Sequence, residues 1–433
     1  MNIPLPNRRS RVLLLVLSGA LALLISFLAV RNALAAHFLG LDTRGGYEGA
    51  VRFEPNNPRN WYLLGRSYLY DLEQPDPAKA LSALRKSVEL DPYSAEAMLD
   101  LAIAYDSEGD PTQARAALVS AQRVYPLSAD VSWSFGNFLL RQGDQDAAFA
   151  QFYKTLQLDP KRAAEAFSRS LQLQPDAKMV LDKVIPPSPE TYLPILHMLS
   201  DAYQMEEAQQ VWNKLVELNS KVPLRDVVVF FDALIHQRQG VEAAKLWPQA
   251  TAMMENPPPP DPSGSLIWDG GFESGSAGGG FRWQFTPVTR NVQISFDQSE
   301  KHSGEQSLRL LFNGRENVNF EDVCHPFIAE PGKQYLLTGW IKTESLTSSE
   351  GVRLQVSTFG KSVTAVQSNE IHGTQPWTQI TLPWTSPAND LFNTVCLRRK
   401  MSDMPGSDIQ GAAWLDDVTL VPANNSPAAV GKP

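Results

Sequence analysis

Three prolines at intervals of 34 residues restrict the possible folds of this chain more than any other feature of its sequence. Pro92, Pro126 and Pro160 each end a similar segment, and the three segments read SVELDP, AQRVYP and TLQLDP. Because a proline ring cannot continue a helix, each proline marks a helix end. Gly109 and Gly143 lie where a turn between two helices needs a permissive backbone. The period therefore predicts stacked helix pairs that bury their apolar faces against neighbouring pairs.

The residues within each period resemble the tetratricopeptide repeat, whose pattern is W-x2-L-G-x2-Y followed by alanine positions and a proline. The first unit reads NWYLLGRSY at 60–68, and its turn carries three extra residues. Small residues recur where the two helices of a unit would touch, at Gly65, Ala80, Ala102, Ala114, Gly136 and Ala148. The resemblance covers 58–160 and implies an all-α solenoid over 47–254.

Tetratricopeptide superhelices usually bind a peptide or protein partner in a groove lined by the first helix of each unit. By repeat position, the resemblance places six residues in that groove, namely Tyr62, Arg66, Leu99, Ile103, Trp133 and Asn137. Some of these side chains can instead fill the space between neighbouring repeats. The sequence itself does not identify the partner.

Beyond the third proline the repeat is less regular, but helical segments continue. Residues 161–175 indicate one helix, and residues 189–219 and 223–254 each indicate a helix pair. A proline-rich linker follows at 255–265, where four consecutive prolines favour an extended spacer. The linker predicts a boundary between the helical solenoid and a domain of another kind.

An uncharged apolar run of 19 residues lies at 12–30, close behind Arg8, Arg9 and Arg11. At about 1.5 Å per residue, a helix of this length nearly spans a hydrocarbon core of roughly 30 Å. The positive-inside rule places the arginines in the cytoplasm and the bulk of the chain in the periplasm or outside the cell.

This pattern indicates a cytoplasmic basic segment at 1–11 and a single-pass signal anchor at 12–31, in the inner membrane. The alternative is a cleaved signal peptide, because the small residues at 33–36 are typical of a cleavage site. Cleavage would release a secreted protein. A buried helix of a soluble domain would carry a polar face, and this run has none.

Length and charge limit the remaining possibilities. A chain of 433 residues indicates two or three domains, and 43% apolar residues allow packed cores. The formal net charge of −9 argues against a nucleic-acid duplex as partner, because such a partner normally requires a basic surface.

The sequence changes in character at 266, where short runs rich in β-branched and aromatic residues begin to alternate with turn-forming clusters. Such regular strands indicate an all-β sandwich or jelly roll. The segments GGFESG, HSGEQSLRL, PGKQYLLTGWIKT, WTQITLPW and GAAWLDDVTL resemble, in this order, a carbohydrate-binding module of the galactose-binding-like jelly-roll type. The resemblance covers 266–422, and the tail at 423–433 is expected to be disordered.

In that family a Glu near the first strand and an Asp near the last commonly bind one structural Ca²⁺ ion. The resemblance places these ligands at Glu273 and Asp416, with backbone carbonyls near Lys301 and Gly304 completing the shell. Calcium takes about 6–8 oxygen ligands of both kinds. Alternatively, both carboxylates are solvated strand ends. Strand alternation predicts that Asp417 faces the opposite side of the sheet.

If the β domain binds a sugar, aromatic side chains should carry it, because sugar rings stack their apolar C–H faces on aromatic rings. We expect Trp283, Phe359 and Trp384 to form such a surface. Trp340 and Trp377 match positions where the family has core aromatics, and we interpret both as packing residues.

Cys324 and Cys396 are the only cysteines, and both lie in strand-like runs. Outside the cytoplasm we expect a disulfide between neighbouring strands. Buried free thiols are the alternative.

Signatures of catalysis are missing from the sequence. It contains no H-E-x-x-H and no G-x-S-x-G, and the glycine-rich segment at 275–280 lacks the Lys-Ser/Thr of a P-loop. A glycosidase dyad of Glu273 and Asp416 would need a cleft that raises one pKa, and the sequence indicates no such cleft. We therefore expect a non-enzymatic protein.

These features predict a membrane-anchored extracytoplasmic scaffold that binds protein partners through its repeats and a glycan through its jelly roll. Exopolysaccharide or envelope assembly is the process that would use both, an association that rests on the combination of domains. The alternatives are a protein–protein scaffold without sugar binding and a glycan-active enzyme.

Overall fold

The structure is a computed structural model, and it describes residues 8–255, 263–274, 278–285, 289–359, 361–404 and 407–423. For 361–364 only the backbone is described. The chain forms two compact units, which divide between Pro186 and Pro187. Three predicted segments extend outside the described residues, namely 1–11, 255–265 and 423–433.

The first unit contains ten α-helices among its described residues. They are α1 Arg8–Leu39, α2 Arg44–Phe53, α3 Pro58–Leu69, α4 Pro77–Leu90, α5 Ala95–Ser107, α6 Pro111–Val124, α7 Ala129–Arg141, α8 Gln145–Leu158, α9 Ala163–Leu173 and α10 Ala177–Val184. The pairs α3/α4, α5/α6 and α7/α8 confirm the three predicted repeat units. Helices α4, α6 and α8 each end two residues before one of the three periodic prolines, as the period predicts. The short helix α10 was not predicted.

Local signals in the sequence explain where these helices begin and turn. Ser94 and Ser128 cap α5 and α7, since each side chain accepts a hydrogen bond from the backbone N–H three residues later. Gly109 and Gly143 have φ angles of 79° and 75°, in the left-handed region that residues with a Cβ rarely adopt. The repeat is therefore encoded largely by contacts between near neighbours in sequence.

Close packing within each pair depends on the small residues of the pattern. A Cβ atom on Gly65 would lie 2.5 Å from Leu84 Cγ, and one on Gly136 would lie 2.8 Å from Phe152 Cδ1. Leu84 and Phe152 are both fully buried. A larger side chain at either glycine would therefore force the two helices of a pair apart.

Helix α1 contains the apolar run at 12–30. Among the described residues it is the one helix that is long and apolar enough to cross a membrane, by length and composition. Its apolar side chains are exposed around the helix, and Ala35 is its only buried residue. A membrane anchor and a signal sequence both have this character.

The second unit begins with four helices, α11 Pro189–Asp201, α12 Met205–Glu217, α13 Val228–His236 and α14 Gly240–Ala252. They confirm the helix pairs predicted at 189–219 and 223–254. The fully buried Trp212 ring lies 5.3 Å from Phe230 and 5.2 Å from Phe231. This aromatic cluster joins α12 to α13.

These four helices pack with the β-sandwich in one compact unit, although the sequence pattern assigned them to the solenoid. The carboxylate of Asp232 accepts a hydrogen bond of 2.6 Å from the backbone N–H of Gly280. The rings of Trp247 and Phe281 lie 5.7 Å apart. Helices α13 and α14 thus contact the segment that precedes the first strand of the sandwich.

Nine strands make up the sandwich among the described residues. They are β1 Val292–Asp297, β2 Ser307–Asn313, β3 Phe320–Ile328, β4 Gln334–Leu346, β5 Arg353–Thr358, β6 Lys361–Gln367, β7 Gly373–Thr385, β8 Phe392–Arg399 and β9 Gln410–Pro422. A five-stranded sheet has the order β1-β2-β9-β4-β7, and a four-stranded sheet has the order β3-β8-β5-β6. All strand pairs are antiparallel.

The two sheets enclose one apolar core, to which strand alternation contributes Leu337 and Ile341 from β4 and Val395 and Leu397 from β8. The structure confirms the predicted all-β sandwich. Strand β6 was not predicted.

Candidate protein-binding groove and glycan-binding face

The first helices of the repeats carry a charged and aromatic network. Asp100 accepts a hydrogen bond of 2.6 Å from the Tyr70 hydroxyl and lies 3.4 Å from Arg66 Nε. The Arg66 guanidinium lies 5.6 Å from the ring centroid of Tyr62 and 5.3 Å from that of Tyr70. Burial raises the pKa of Asp100, and burial raises the pKa of Tyr62 to about 12. The network links α3 to α5.

A separate cluster of side chains surrounds Trp133 on α7. The guanidinium groups of Arg162 and Arg169 each lie 5.4 Å from its ring centroid. Arg169 also donates a hydrogen bond of 2.9 Å to Asn137 Oδ1. Trp133 and Asn137 are half-buried, so they serve contacts within the solenoid as well as any partner.

A cavity of 630 Å³ opens beside these residues. Tyr62 and Leu99 line it, together with the exposed rings of Tyr93 and Tyr125. Of the six residues expected in a partner groove, Tyr62 and Leu99 line this cavity. The other four, Arg66, Ile103, Trp133 and Asn137, are not among its lining residues.

In the second unit, Asp416 and Asp417 lie on the same side of strand β9, contrary to the alternation that the sequence suggested. Leu415 and Val418 both face the core, and the register between β4 and β9 shifts at this point. Asp417 has a φ angle of 48°. A β-bulge therefore inserts one extra residue and turns both carboxylates away from the core.

The loop between β1 and β2 lies against these carboxylates. Asp416 accepts hydrogen bonds from the backbone N–H groups of His302 (2.8 Å) and Ser303 (3.2 Å). Glu273 accepts two hydrogen bonds, of 3.0 and 3.1 Å, from the N–H of Glu305. Gly304 has a φ angle of 63°, and a Cβ there would lie 1.8 Å from Glu273 Oε1, so a larger residue would strain the backbone and displace this carboxylate. The fold thus brings the opening and closing segments of the sandwich to one loop.

The residues expected to hold calcium therefore lie close together. In this arrangement the two carboxylates accept hydrogen bonds from the β1–β2 loop. The carboxylates of Glu273 and Asp416 face amide N–H groups, and Lys301 Nζ donates to the carbonyl of Glu305. Among the described residues, no group of three Asp, Glu, His or Cys side chains is placed to hold a metal ion. The two carboxylates alone do not supply the shell of about 6–8 oxygens that calcium takes. Calcium binding stays a prediction.

Burial, and secondarily the charge of Asp417, raises the pKa of Asp416 to about 6, against the effect of the amide donors. Asp416 has no exposed surface. A substrate therefore cannot reach it, and this carboxylate is not placed to act as a glycosidase acid.

Two of the three aromatic residues expected to bind sugar lie inside the sandwich. Trp283 and Trp384 are 2% and 5% exposed and belong to the core between the sheets. Neither offers a free ring face for stacking, because both rings contact other core side chains. Phe359 is exposed, and its ring centroid lies 4.5 Å from that of Phe392.

Instead, the residues interpreted as core packing lie on the outer face of the five-stranded sheet. Trp340 alternates with the core residues Leu337 and Ile341 and is half-buried, as is Trp377 on the edge strand β7. The imidazole of His302 stacks on Trp340 with centroids 3.9 Å apart, and it lies 5.9 Å from the Trp377 ring. We call this cluster the aromatic face. Strand alternation within the correct register would have revealed it.

Charged side chains continue the aromatic face across the sheet. The Trp414 ring lies 5.5 Å from the Arg309 guanidinium and 5.4 Å from Lys342 Nζ. Its Nε1 donates a hydrogen bond of 2.9 Å to Asp297. The outer face of this sheet thus combines the half-buried rings of Trp340 and Trp377 with hydrogen-bonding groups.

The two cysteines form a disulfide between β3 and β8, where they are directly opposite in the strand register. Val395 and Leu397, which flank Cys396, face the core, so the disulfide lies on the outer side of the four-stranded sheet. Gln284 pairs with Cys324 through two backbone hydrogen bonds, of 2.7 and 3.0 Å.

Residues 99–163 match the family model of the tetratricopeptide repeat. This part of the chain consists of tetratricopeptide repeats. A search of curated proteins finds no significant match.

Several solved structures are similar to parts of the chain. The MamA protein is 22% identical over 44% of this chain and 91% of its own, with a TM-score of 0.29. PilF of Pseudomonas aeruginosa is 22% identical over 44% of this chain and 92% of its own, with a TM-score of 0.27. A family 16 carbohydrate-binding module is 20% identical over 36% of this chain and 99% of its own, with a TM-score of 0.26.

Proposed function

We propose that this protein is an extracytoplasmic scaffold, anchored in the membrane by α1, that holds a protein partner on its tetratricopeptide repeats and a glycan on its sandwich. The aromatic face carries the glycan part of the proposal. Half-buried Trp340 and Trp377 lie on one sheet face beside polar groups, where a soluble sandwich would otherwise present polar side chains. Exopolysaccharide or envelope assembly is the process that would use both kinds of binding.

Two features support the extracytoplasmic location. The apolar run at 12–30 within α1 follows three arginines, an order that favours a location of the rest of the chain outside the cytoplasm. The Cys324–Cys396 disulfide belongs to an oxidising compartment.

Replacing Trp340 and Trp377 together with alanine is expected to weaken glycan binding about tenfold to a hundredfold, because the exposed parts of both half-buried rings are lost. Affinity electrophoresis of the full chain through gels that contain neutral or acidic polysaccharides measures this effect. Phe359→Ala is the matched control, since it removes the exposed aromatic ring of the other sheet, and we expect wild-type retention. If no polysaccharide retards the wild type, or if Phe359→Ala has the larger effect, the aromatic face is not the glycan site.

A photocrosslinking residue in place of Tyr93 is expected to capture the protein partner in native envelopes, because Tyr93 lines the groove cavity and is 71% exposed. The same residue in place of Leu72, which is fully exposed and outside that cavity, is the control. A discrete adduct at Tyr93 alone supports the groove. Equal labelling at both positions would show that the cavity is not the contact surface.

A further inference from the structure

The groove cavity, the space of 630 Å³ beside Tyr62 and Leu99, is formed by all three repeat units. Helices α3, α5 and α7 each contribute to its lining, and so do the loops that join one unit to the next, at 91–94 and 125–128. All of these residues belong to the first compact unit. The cavity therefore depends on the stacking of the repeats and not on any one of them.

Two tyrosine rings of the groove cavity are open to solvent. Tyr93 is 71% exposed and Tyr125 is 43% exposed. Leu127, in the same loop as Tyr125, is 80% exposed. Large exposed side chains of this kind, and tyrosine in particular, are typical of surfaces that bind another protein. A partner that enters the groove can reach both rings.

The groove cavity also carries unpaired negative charge. Its lining includes four carboxylates, those of Asp91, Glu96, Asp100 and Asp130. Asp100 and Asp130 each pair with an arginine of the solenoid, whereas Asp91 and Glu96 form no ion pair within the described part of the chain. Glu96 is exposed, and the half-buried Asp91 uses its Oδ1 to accept from the N–H of Tyr93 (3.0 Å), which leaves its Oδ2 to a partner. Among the described residues that line the cavity, none is a lysine or an arginine.

Exposed tyrosine rings and unpaired carboxylates together define the chemistry of the occupant. An ammonium or guanidinium group is attracted to both, whereas a phosphate or an acidic peptide is repelled by the carboxylates. The solenoid itself contains this combination, since Arg66 lies between the carboxylate of Asp100 and the rings of Tyr62 and Tyr70. Within the described ranges, no three Asp, Glu, His or Cys side chains are grouped to hold a metal ion, which argues against a bare metal ion here.

We propose that the groove cavity receives a basic segment of the protein partner. A Lys or Arg side chain of that segment lies against the rings of Tyr93 and Tyr125 and pairs with the carboxylates of Asp91 and Glu96. The proposal rests on the proposed function, in which the repeats hold a protein partner, and it adds the charge of the segment that they recognise.

Selection from a random heptapeptide library displayed on phage, with the full chain immobilised in a mild detergent, tests the proposal. We expect the selected peptides to be richer in Lys and Arg than the unselected library, and poorer in Asp and Glu. The peptide selected most often is then synthesised with a fluorescent label, and its affinity for each variant is measured by fluorescence anisotropy.

The Asp91→Asn/Glu96→Gln double variant removes both unpaired charges and keeps the shapes of the side chains. The amide oxygen at 91 can still accept from the N–H of Tyr93. We expect this variant to bind the synthetic peptide about tenfold more weakly than wild type, because both carboxylates lose their attraction to the cation. Tyr93→Leu, which removes the ring and keeps an apolar side chain, should weaken binding about threefold.

The matched control is the Asp110→Asn/Glu190→Gln double variant, which changes the net charge equally at two exposed positions outside the cavity. An asparagine at 110 still caps α6. We expect this control to bind the peptide as wild type does. Equal losses in the two double variants, or wild-type affinity in the Asp91/Glu96 variant, would overturn the proposal.

The selection also separates this proposal from the proposed function on which it rests. Selected peptides without an excess of Lys and Arg would overturn the basic segment and leave peptide binding by the repeats intact. Selection of no peptide by folded wild type would contradict both.

Discussion

Replacing Cys324 and Cys396 together with alanine is expected to lower the free energy of unfolding of the sandwich by about 4 kcal/mol. The disulfide closes a loop between residues that are 72 positions apart, so its loss releases a large conformational freedom in the unfolded chain. The bond joins β3, at the edge of the four-stranded sheet, to β8. Strand β3 should therefore be the first strand to lose protection.

Urea-dependent hydrogen exchange of peptides from β3 and β8, measured on the full chain, gives the size of this effect. Dithiothreitol should lower the stability of wild type to that of the double variant and leave the double variant unchanged. Peptides from the tetratricopeptide repeats serve as an internal control. An equal urea midpoint for wild type and variant would show that the disulfide does not stabilise the sandwich.

Acidification is expected to destabilise the sandwich through His325. Burial lowers the pKa of His325 to about 3, whereas an exposed histidine titrates near 6.5. The unfolded chain therefore binds a proton below about pH 6.5 that the folded chain does not bind until about pH 3. The contribution of His325 to the free energy of unfolding is fully present above pH 6.5. It falls by about 1.4 kcal/mol per pH unit between about pH 6.5 and pH 3, for a total of roughly 5 kcal/mol.

Asp416 acts in the opposite direction. Its pKa is raised to about 6 in the folded protein, so the folded chain binds an extra proton between about pH 4 and pH 6. Its contribution to stability is present below that window and is lost as the pH rises through it. The two effects partly cancel in wild type, which makes a variant necessary to separate them.

The His325→Gln variant keeps an acceptor for the Trp268 N–H and removes the titration. Between pH 6.5 and pH 4, the free energy of unfolding of this variant should fall less steeply with acidification than that of wild type. The difference between the two slopes should correspond to the uptake of up to one proton. Urea titrations at each pH, followed by pulse labelling at one common pH, measure this difference. Parallel profiles for wild type and variant would contradict a buried neutral imidazole.

Much of the helical part could be predicted from the sequence, because its signals act over short distances. Periodic prolines end helices, serines cap them, and Gly65 and Gly136 allow contact between helices that are adjacent in the chain. The strands were also largely predictable, since alternation and turn residues are local.

The candidate sites were less predictable, because they depend on contacts between distant segments. A single bulge at Asp417 moves its carboxylate to the side of Asp416. Trp340 and Trp377 were interpreted as core residues, and Trp283 and Trp384 as surface residues, whereas the register of the sheets reverses both assignments. A shift of one residue in a strand exchanges its two faces, so short motifs leave this choice open.

The sequence by itself determined the repeat, the helix ends, the change to an all-β domain and the candidate membrane helix, since each follows from residue type and spacing. Only the tertiary structure decided which aromatic rings reach the surface and which carboxylates the β1–β2 loop holds. It also decided that α13 and α14 pack with the sandwich, where Asp232 and Trp247 contact the segment at 280–281. Those outcomes depend on strand register and on which side chains become buried. Both are set by contacts between residues that are far apart in the chain.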